Sequence, residues 1–540
     1  MLKIFTVAEM VAAEKAADAS GAASYPQMME TAGKAVADAI SERYPVSGMK
    51  VLVLVGPGNN GGDGLVAGRY LAQAGADVAF YLTKARHPAQ DENYAKIMAM
   101  GLFAVEAGFD QRFRVLRSRL AVTDLVIDAL LGTGAARPIQ GELAQLMEQV
   151  RLGVNGRSAA LASAQKTNLV SLNQFNAEGR GRRKKLPVIV AVDCPSGLNC
   201  DTGALDKLAL PARLTVTFAG PKRGHFLFPG AAACGELVVA DIGIPTDLPE
   251  VAGVQAAVMT PAEAKTMLPA RPLDGHKGSF GAALIAAGSH RYWGAPLLAA
   301  KAAYRVGAGL AALAVPESIR AVCAGQIPEA TFPLIPDTQI FNPASLPVLQ
   351  EIQASVLLVG PGLDQADAFM AALLAAQETL PPLIIDADGL NLLAQMDDWA
   401  ARLPSPDTIL TPHPGEMARL MGIPLTALRE MDRISVAQAQ ARIWNCVLLL
   451  KGAYTVIAAP DGRVTINPFA NPALAVGGSG DVLSGIIAGL RAQGVAAYEA
   501  ACLGAYLHGA AAACYPYSSG LLMRELCDWV PEVMARLGAG

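Results

Sequence analysis

The sequence predicts an α/β protein whose parallel sheets are buried on both faces. Two observations carry this: short, continuous apolar runs bounded by Gly or Asp, and alanine-rich helical stretches between them. Runs of that kind suit strands covered on both sides, and helical crossovers between them imply parallel pairing. A third observation, the length of 540 residues, exceeds what one ordinary core organises and calls for two large domains or three small ones.

In chain order the strand-like runs are Val51–Val55, Leu125–Ile127, Val188–Val192, Leu284–Ala286, Val356–Val359, Leu383–Ile385 and Val447–Leu450. The Pro-rich passage from Ile244-Pro245 to Pro272 separates two strand-bearing blocks, which puts a boundary near residue 255 and domains at 1–250 and 255–540. A second irregular passage, 156–185, is rich in Ser, Asn, Gln and Gly. It ends in the basic string Arg180, Arg182, Arg183, Lys184 and Lys185. Its weak periodicity reads as a flexible surface insertion, and a clamp for an anionic ligand is the less favoured alternative.

Composition excludes several classes. The chain is 52% hydrophobic and 17% charged, yet its apolar runs are short. The longest, around Trp444–Leu450, stops at Lys451, far below the roughly 20 residues a spanning helix needs. A formal net charge of −4 implies no general surface for nucleic acid. The opening Met1-Leu2-Lys3-Ile4-Phe5 lacks a signal-peptide pattern, and the eight scattered cysteines form no C-x-x-C pair. A cytoplasmic protein is expected, with its cysteines and tryptophans serving as packing.

The first block carries three strand-to-turn segments. Val51–Val55 runs into Gly56-Pro57-Gly58-Asn59-Asn60-Gly61-Gly62-Asp63-Gly64, with a helical pattern from Leu65. Val126-Ile127-Asp128 leads to Gly132-Thr133-Gly134, and Val190-Ala191-Val192-Asp193 leads to Cys194-Pro195-Ser196-Gly197. Glycines ahead of a helix permit close approach of an anion to free amides. Carboxyl ends of parallel strands converge on one crevice, so Asp63, Asp128 and Asp193 are expected near a single ligand. Carboxylates, an Asn amide and a Ser hydroxyl are hard donors suited to an alkali or alkaline-earth ion.

These segments, followed by TFAGPKRGHFLFPG and VVADIGIP, resemble the NAD(P)H-hydrate epimerases, whose domain is Rossmann-like and three-layered. The resemblance implies substrate contacts at Asn59, Asn60, Gly61, Gly62 and Asp63, at Gly132, Thr133, Gly134, Ala135, Ala136, Arg137 and Pro138, and at Asp193. It implies a potassium ion at Asn60, Asp128 and Ser196, and Asp193 as the acid/base group. Thr31 stands where that family usually has Asn.

The second block holds Gly275–Gly281, Tyr292-Trp293-Gly294-Ala295-Pro296, Val359-Gly360-Pro361-Gly362-Leu363 and Ile385-Asp386-Ala387-Asp388-Gly389. Then follow Thr411-Pro412-His413-Pro414-Gly415-Glu416, Lys451–Thr455 and Gly477-Gly478-Ser479-Gly480-Asp481. Glycine amides before an apolar helix suit a transferring phosphoryl group, and an Asp among them can take the proton of an attacking hydroxyl. The strings of a Walker A loop and of a protein-kinase loop are absent. Asp386 and Asp388 read equally well as helix caps and as phosphate or magnesium groups, and His276 as a loop-structuring residue.

Together these motifs resemble the ADP-dependent NAD(P)H-hydrate dehydratases of the ribokinase-like superfamily, over roughly 275–510. The resemblance implies nucleotide contacts at Lys451, Gly452, Ala453, Tyr454, Thr455 and Gly480, and substrate contacts at Ala295, Gly362, His413 and Asp481. Asp481 would be the catalytic base, with ADP and magnesium as the dehydratase's requirements. The fused architecture implies small-molecule substrates, the hydrates NADHX and NADPHX, and a homo-oligomer without nucleic-acid or membrane partners. Two other readings stay open: a plain small-molecule kinase, and a first domain that binds nucleotide without catalysis.

Overall fold

In the computed structural model, described for residues 1–134, 137–163, 187–336, 339–404, 406–538, the chain forms two compact units. One comprises Lys3–Val254, the other Met1–Leu2 with Gln255–Gly540. The strands in chain order are β1 (Leu2–Lys3), β2 (Lys50–Val55), β3 (Asp77–Leu82), β4 (Phe103–Glu106), β5 (Leu125–Ala129), β6 (Val188–Val192), β7 (Leu214–Phe218) and β8 (Glu236–Ala240). They continue with β9 (Ala256–Val258), β10 (Ala282–Ala286), β11 (Leu310–Ala314), β12 (Val356–Val359), β13 (Leu383–Ile385), β14 (Ile409–Leu410), β15 (Val447–Leu450), β16 (Val456–Ala458) and β17 (Val464–Ile466).

The Lys3–Val254 unit is a seven-stranded sheet in the order β4-β3-β2-β5-β6-β7-β8, with every pair parallel. Val51, Val53 and Val55 pack into one layer and Leu52 and Leu54 into the other. Period-two burial on both faces explains why β2 reads as an unbroken apolar run. Chain direction across the sheet reverses between β2 and β5, and such a switch point opens a crevice beyond the strands' carboxyl ends.

The other unit's ten-stranded sheet has the order β1-β9-β17-β16-β15-β14-β13-β12-β10-β11. Strands β10 to β15 pair in parallel, and β15-β16-β17 form an antiparallel meander. The switch point here lies between β10 and β12. Gly288 donates its N–H to the Pro361 carbonyl across it, at 2.8 Å. Both units are thus α/β with largely parallel sheets, as the apolar runs predict.

Glycine is required where strands leave these sheets. Gly360, just after β12, has φ +127°, and a Cβ there would lie 1.9 Å from the Asp386 carbonyl oxygen. Gly360→Ala is therefore expected to destabilise this unit through overpacking, about 1–3 kcal/mol, and through a backbone conformation that L-residues avoid. A urea midpoint unchanged from wild type would contradict that geometry.

Three expectations need correction. The helix expected from Leu65 begins at Asn59 (Asn59–Gln73), so the glycine-rich string is its first turn. Buried glycines let that turn lie against Met29 and Gly56, outweighing their poor helix propensity. The passage expected to be irregular from residue 156 starts as helix, since Gly141–Ser163 is helical; residues 164–186, including the basic string, lie outside the described residues. Trp399 and Trp444 pack edge-on, with centroids 4.8 Å apart, but Trp293 is half exposed at the start of the helix Gly294–Arg305. The eight cysteines are free thiols, seven of them buried. No helix among the described residues is long and apolar enough to cross a membrane.

Two candidate active sites at strand ends

At the first switch point β2 and β5 release two turns that touch. A Cβ on Gly56 would lie 1.8 Å from the Leu130 carbonyl oxygen. Asp128, inside β5 and fully buried, accepts the Ser196 hydroxyl at 2.6 Å and the Ser196 N–H at 2.9 Å. Burial raises its carboxyl, and the Ser196 bonds offset only part of that. The Leu131 N–H donates to Ser196 Oγ at 2.9 Å, and Asn60 Nδ2 donates to the Leu131 carbonyl at 2.9 Å. Asn60 Oδ1 is buried with no partner. Asn60, Asp128 and Ser196 are therefore brought together, with an orphaned amide oxygen among them.

Asp193 follows β6 with φ +62°, a left-handed conformation that Asp tolerates better than most residues. Its Oδ1 accepts from Lys222 Nζ at 2.6 Å and from Thr217 Oγ1 at 2.8 Å. Burial alone would raise the carboxyl, but the Lys222 ammonium and the Thr217 hydroxyl hold it below its ordinary value. Asp63 lies in the first turns of the helix Asn59–Gln73 and has no such cation of its own. Burial, then the charges of Asp193 and Glu14, raise it well above the usual carboxylate range. Asp63, Glu14, Asn59, Tyr25 and Phe218 line a cavity of about 570 Å³.

The expected contacts beyond Leu131 are less enclosed. Gly132 and Thr133 are half-buried, Gly134, Arg137 and Pro138 are exposed, and Ala135 and Ala136 lie outside the described residues. Sequence reasoning passed over Lys222, Thr217 and Glu14. Lys222 carries no signal of its own in the sequence: its side chain is 1% exposed, and a Lys is buried only when paired, but the partner is supplied by the fold.

In the second unit β12, β13, β14 and β15 deliver side chains to one edge. Lys451 follows β15 and pairs with Asp386 after β13 at 2.7 Å, and with Glu416 at 3.6 Å. Glu416 meets His413 Nε2 at 3.3 Å, while His413 Nδ1 accepts the Gly415 N–H at 2.9 Å and so caps its helix. His413 is half exposed. Burial raises Glu416 to about 7, with Lys451 opposing and Asp386 adding. The helix Ser479–Ala492 points its N-terminus at this group, and a Cβ on Gly480 would lie 3.3 Å from Lys451 Nζ. Asp481, in that first turn, is raised to about 6 by burial and by Asp386.

Asp386 is 1% exposed; Oδ1 takes Lys451, and Oδ2 is buried without a partner. Asp388 opens its helix and accepts the Asp364 N–H at 3.0 Å. Asp386 is thus an ion-pair partner and Asp388 a backbone acceptor. Ala295 and Gly362 face each other, since a Cβ on Gly362 would lie 3.4 Å from that of Ala295. Arg433, unnoticed in the sequence, donates to the carbonyls of Lys451 and Ala453 at 3.0 and 2.8 Å. It thereby fixes a loop whose Gly452 and Tyr454 have φ +147° and +53°. Among the described residues no group of three His, Cys, Asp or Glu could hold a metal ion.

Comparison with known proteins finds a family match in each of the two units. Residues 26–224 match the family described as YjeF-related protein N-terminus, and 283–530 the family described as NAD(P)H-hydrate dehydratase. The bifunctional NAD(P)H-hydrate repair enzyme of Moorella thermoacetica is 38% identical, over 99% of this chain and 97% of its own length. That of Thermofilum pendens is 35% identical over 99% and 97%. The Bacillus subtilis ADP/ATP-dependent NAD(P)H-hydrate dehydratase, co-crystallised with ATP/Mg2+, is 33% identical, covers 52% of this chain and 98% of its own, and has a TM-score of 0.46. With two relatives above 30% identity matched almost end to end, this chain belongs to the family of bifunctional NAD(P)H-hydrate repair enzymes.

Proposed function

We propose that the chain repairs hydrated NADH and NADPH in two steps, with Asp193 serving the epimerase site and Asp481 the dehydratase site. The observation that carries this is the pair of strand-end crevices, each with an Asp–Lys ion pair: Asp193 with Lys222 in the first and Asp386 with Lys451, beside the Asp481 helix turn, in the second. In the hydrates C6 bears both a hydroxyl and the ring nitrogen. Its configuration is lost when the C–O bond breaks to a nitrogen-stabilised cation, and regained when water adds back. Asp63, kept protonated, gives its proton to the departing hydroxyl. Asp193, kept ionised, stabilises the cation and takes a proton from the incoming water. Asn59 to Asp63 and Gly132 to Pro138 would hold the nucleotide. Potassium suits the orphaned Asn60 Oδ1 with Asp128 and Ser196, an all-oxygen set with one carboxylate; it would fix the two turns under the substrate.

In the second unit the S hydroxyl attacks the β-phosphorus of ADP while Asp481 takes its proton, and AMP leaves. Phosphate then leaves C6 with the bonding pair and takes up the proton released from C5, which restores the 5,6 double bond of the dihydronicotinamide. Lys451 to Thr455 and Gly480 would hold the nucleotide, and Ala295, Gly362 and His413 the substrate. The helix N-terminus and Lys451 face the transferred phosphoryl group. Asp386 Oδ2 fits a magnesium ligand, and the ion would supply charge neutralisation on phosphate oxygens.

The test mixes the purified chain with both NADHX epimers and ADP and follows absorbance of the reduced nicotinamide. Full return of NADH is expected; none would overturn the reading. Because Asp481 must be ionised to accept a proton and is raised to about 6, the ADP-dependent rate should fall as pH drops through about 6. A dehydration rate flat from pH 7 to 5 would remove Asp481 as the base.

A further inference from the structure

Lys222 has no role in the two steps above, yet its side chain is only 1% exposed at the first site. Its Nζ donates to Asp193 Oδ1 at 2.6 Å, to Thr217 Oγ1 at 2.8 Å and to the Phe218 carbonyl at 3.3 Å. All three hydrogens of the ammonium are thereby used inside the protein, so it has none to offer a substrate. Thr217 Oγ1 donates to the same Oδ1, which is thereby occupied twice. The Asp193 side chain keeps 12% of its surface, against 1% for Lys222. The lysine is sealed, and the carboxylate it holds is the part that reaches outward.

We infer that Lys222 is a positioning residue for epimerisation: it locks Asp193 through Oδ1 and leaves Oδ2 as the oxygen offered to the substrate. This rests on the reading of Asp193 as the acid/base group. A buried ion pair kept only for stability is dispensable, because apolar replacements of similar volume are often neutral or stabilising. Here the surroundings give the pair a task. Asp63 from the helix Asn59–Gln73 and Glu14 from the helix Val7–Ala19 bring two further carboxyl groups near Asp193, both raised by burial and by the Asp193 charge. The Cys194 thiol next in the chain is raised by its hydrogen bond with Cys200 and by burial, and stays uncharged. His225, whose Nδ1 accepts the Lys222 N–H at 3.2 Å, is pushed down to about 3 by burial and by Lys222, and stays neutral. With three carboxyl groups grouped around one ammonium, its direct bond selects which of them is the anion.

The consequence has a definite sign. Without the ammonium, the burial of Asp193 raises its carboxyl, so the base is ionised only at higher pH. Epimerisation by Lys222→Met in the full chain is expected to fall at least about 100-fold at neutral pH, mainly in kcat rather than KM. The acidic limb of its kcat/KM profile should move up by at least about one pH unit, with activity partly regained toward pH 9. Lys222→Arg, which keeps the charge, should leave the limb near its wild-type position even where the rate drops. ADP-dependent use of the S epimer by the same preparations reports on the other unit, and circular dichroism on the fold.

A Lys222→Met limb at the wild-type pH would overturn the inference, whatever the size of the rate loss. So would a folded Lys222→Met variant inactive up to pH 9.5, because the lysine would then do more than hold Asp193. If Lys222→Met cannot fold, a Lys222→Arg limb displaced as far as one pH unit overturns it, and an undisplaced one supports it. Failure of the underlying reading looks different: Asp193→Asn would itself keep epimerase activity.

Discussion

Asp481→Asn is expected to lower ADP-dependent repair by about 100- to 10,000-fold while leaving epimerisation at its wild-type rate, the range typical for loss of a general base. The side chain lies in the first turn of the helix Ser479–Ala492, where free amides and the helix dipole favour negative charge on a transferred group. A base at such a place must be neither too acidic to accept a proton nor too basic to be ionised. Burial and Asp386 raise Asp481 to about 6, close to that optimum. The Asn variant keeps size and backbone but cannot take the proton. Its KM for ADP should therefore change little while kcat collapses. Quantifying NADH returned from purified S-NADHX with ADP, alongside interconversion of R and S without ADP, separates the two sites in one preparation. Persistence of dehydration near the wild-type rate would transfer the role to another group, and Glu416, raised to about 7 beside Lys451, would be the first to examine.

What could be read in advance follows from what each signal depends on. Strands buried on both faces appear as apolar runs, so β12, β13 and β15 begin and end at the residues expected. The Gly-Asp strings mark strand ends because close approach there excludes a Cβ, as at Gly56 against Leu130 and Gly360 against Asp386. Helix starts were less legible. Asn59 to Gly64 is glycine-rich and reads as turn, yet tertiary packing against Met29 and Gly56 makes it helical. Asp128 was visible as a carboxylate, but its full burial and its bond to Ser196 are tertiary facts. Lys222, Glu14 and Arg433 escaped notice for the same reason. Each comes from a segment remote in sequence from the motif it serves, and a lone charged residue announces no partner until the fold supplies one.

Asp193→Asn is the second large effect expected, and it should fall on the other activity. Epimerisation should drop by about 100- to 10,000-fold, with ADP-dependent consumption of the S form unchanged. A mixture of epimers would then be repaired in two phases: S at the normal rate, followed by R only as fast as it converts spontaneously. Purified R-NADHX with ADP would return NADH at that slow rate alone. The substitution also strands Lys222, whose side chain is 1% exposed and whose ammonium loses its charged partner. Removing one member of a buried pair commonly costs about 3–5 kcal/mol, so some loss of stability in the Lys3–Val254 unit is expected alongside the catalytic one. Adding Lys222→Met relieves the stranded charge and should recover stability without recovering activity. That divergence between a stability repaired and a rate not repaired is what assigns Asp193 to the chemistry. If the double variant instead regains epimerisation with its stability, Asp193 is structural, and the acid and base must be sought among Asp63 and Glu14 on the wall of the 570 Å³ cavity.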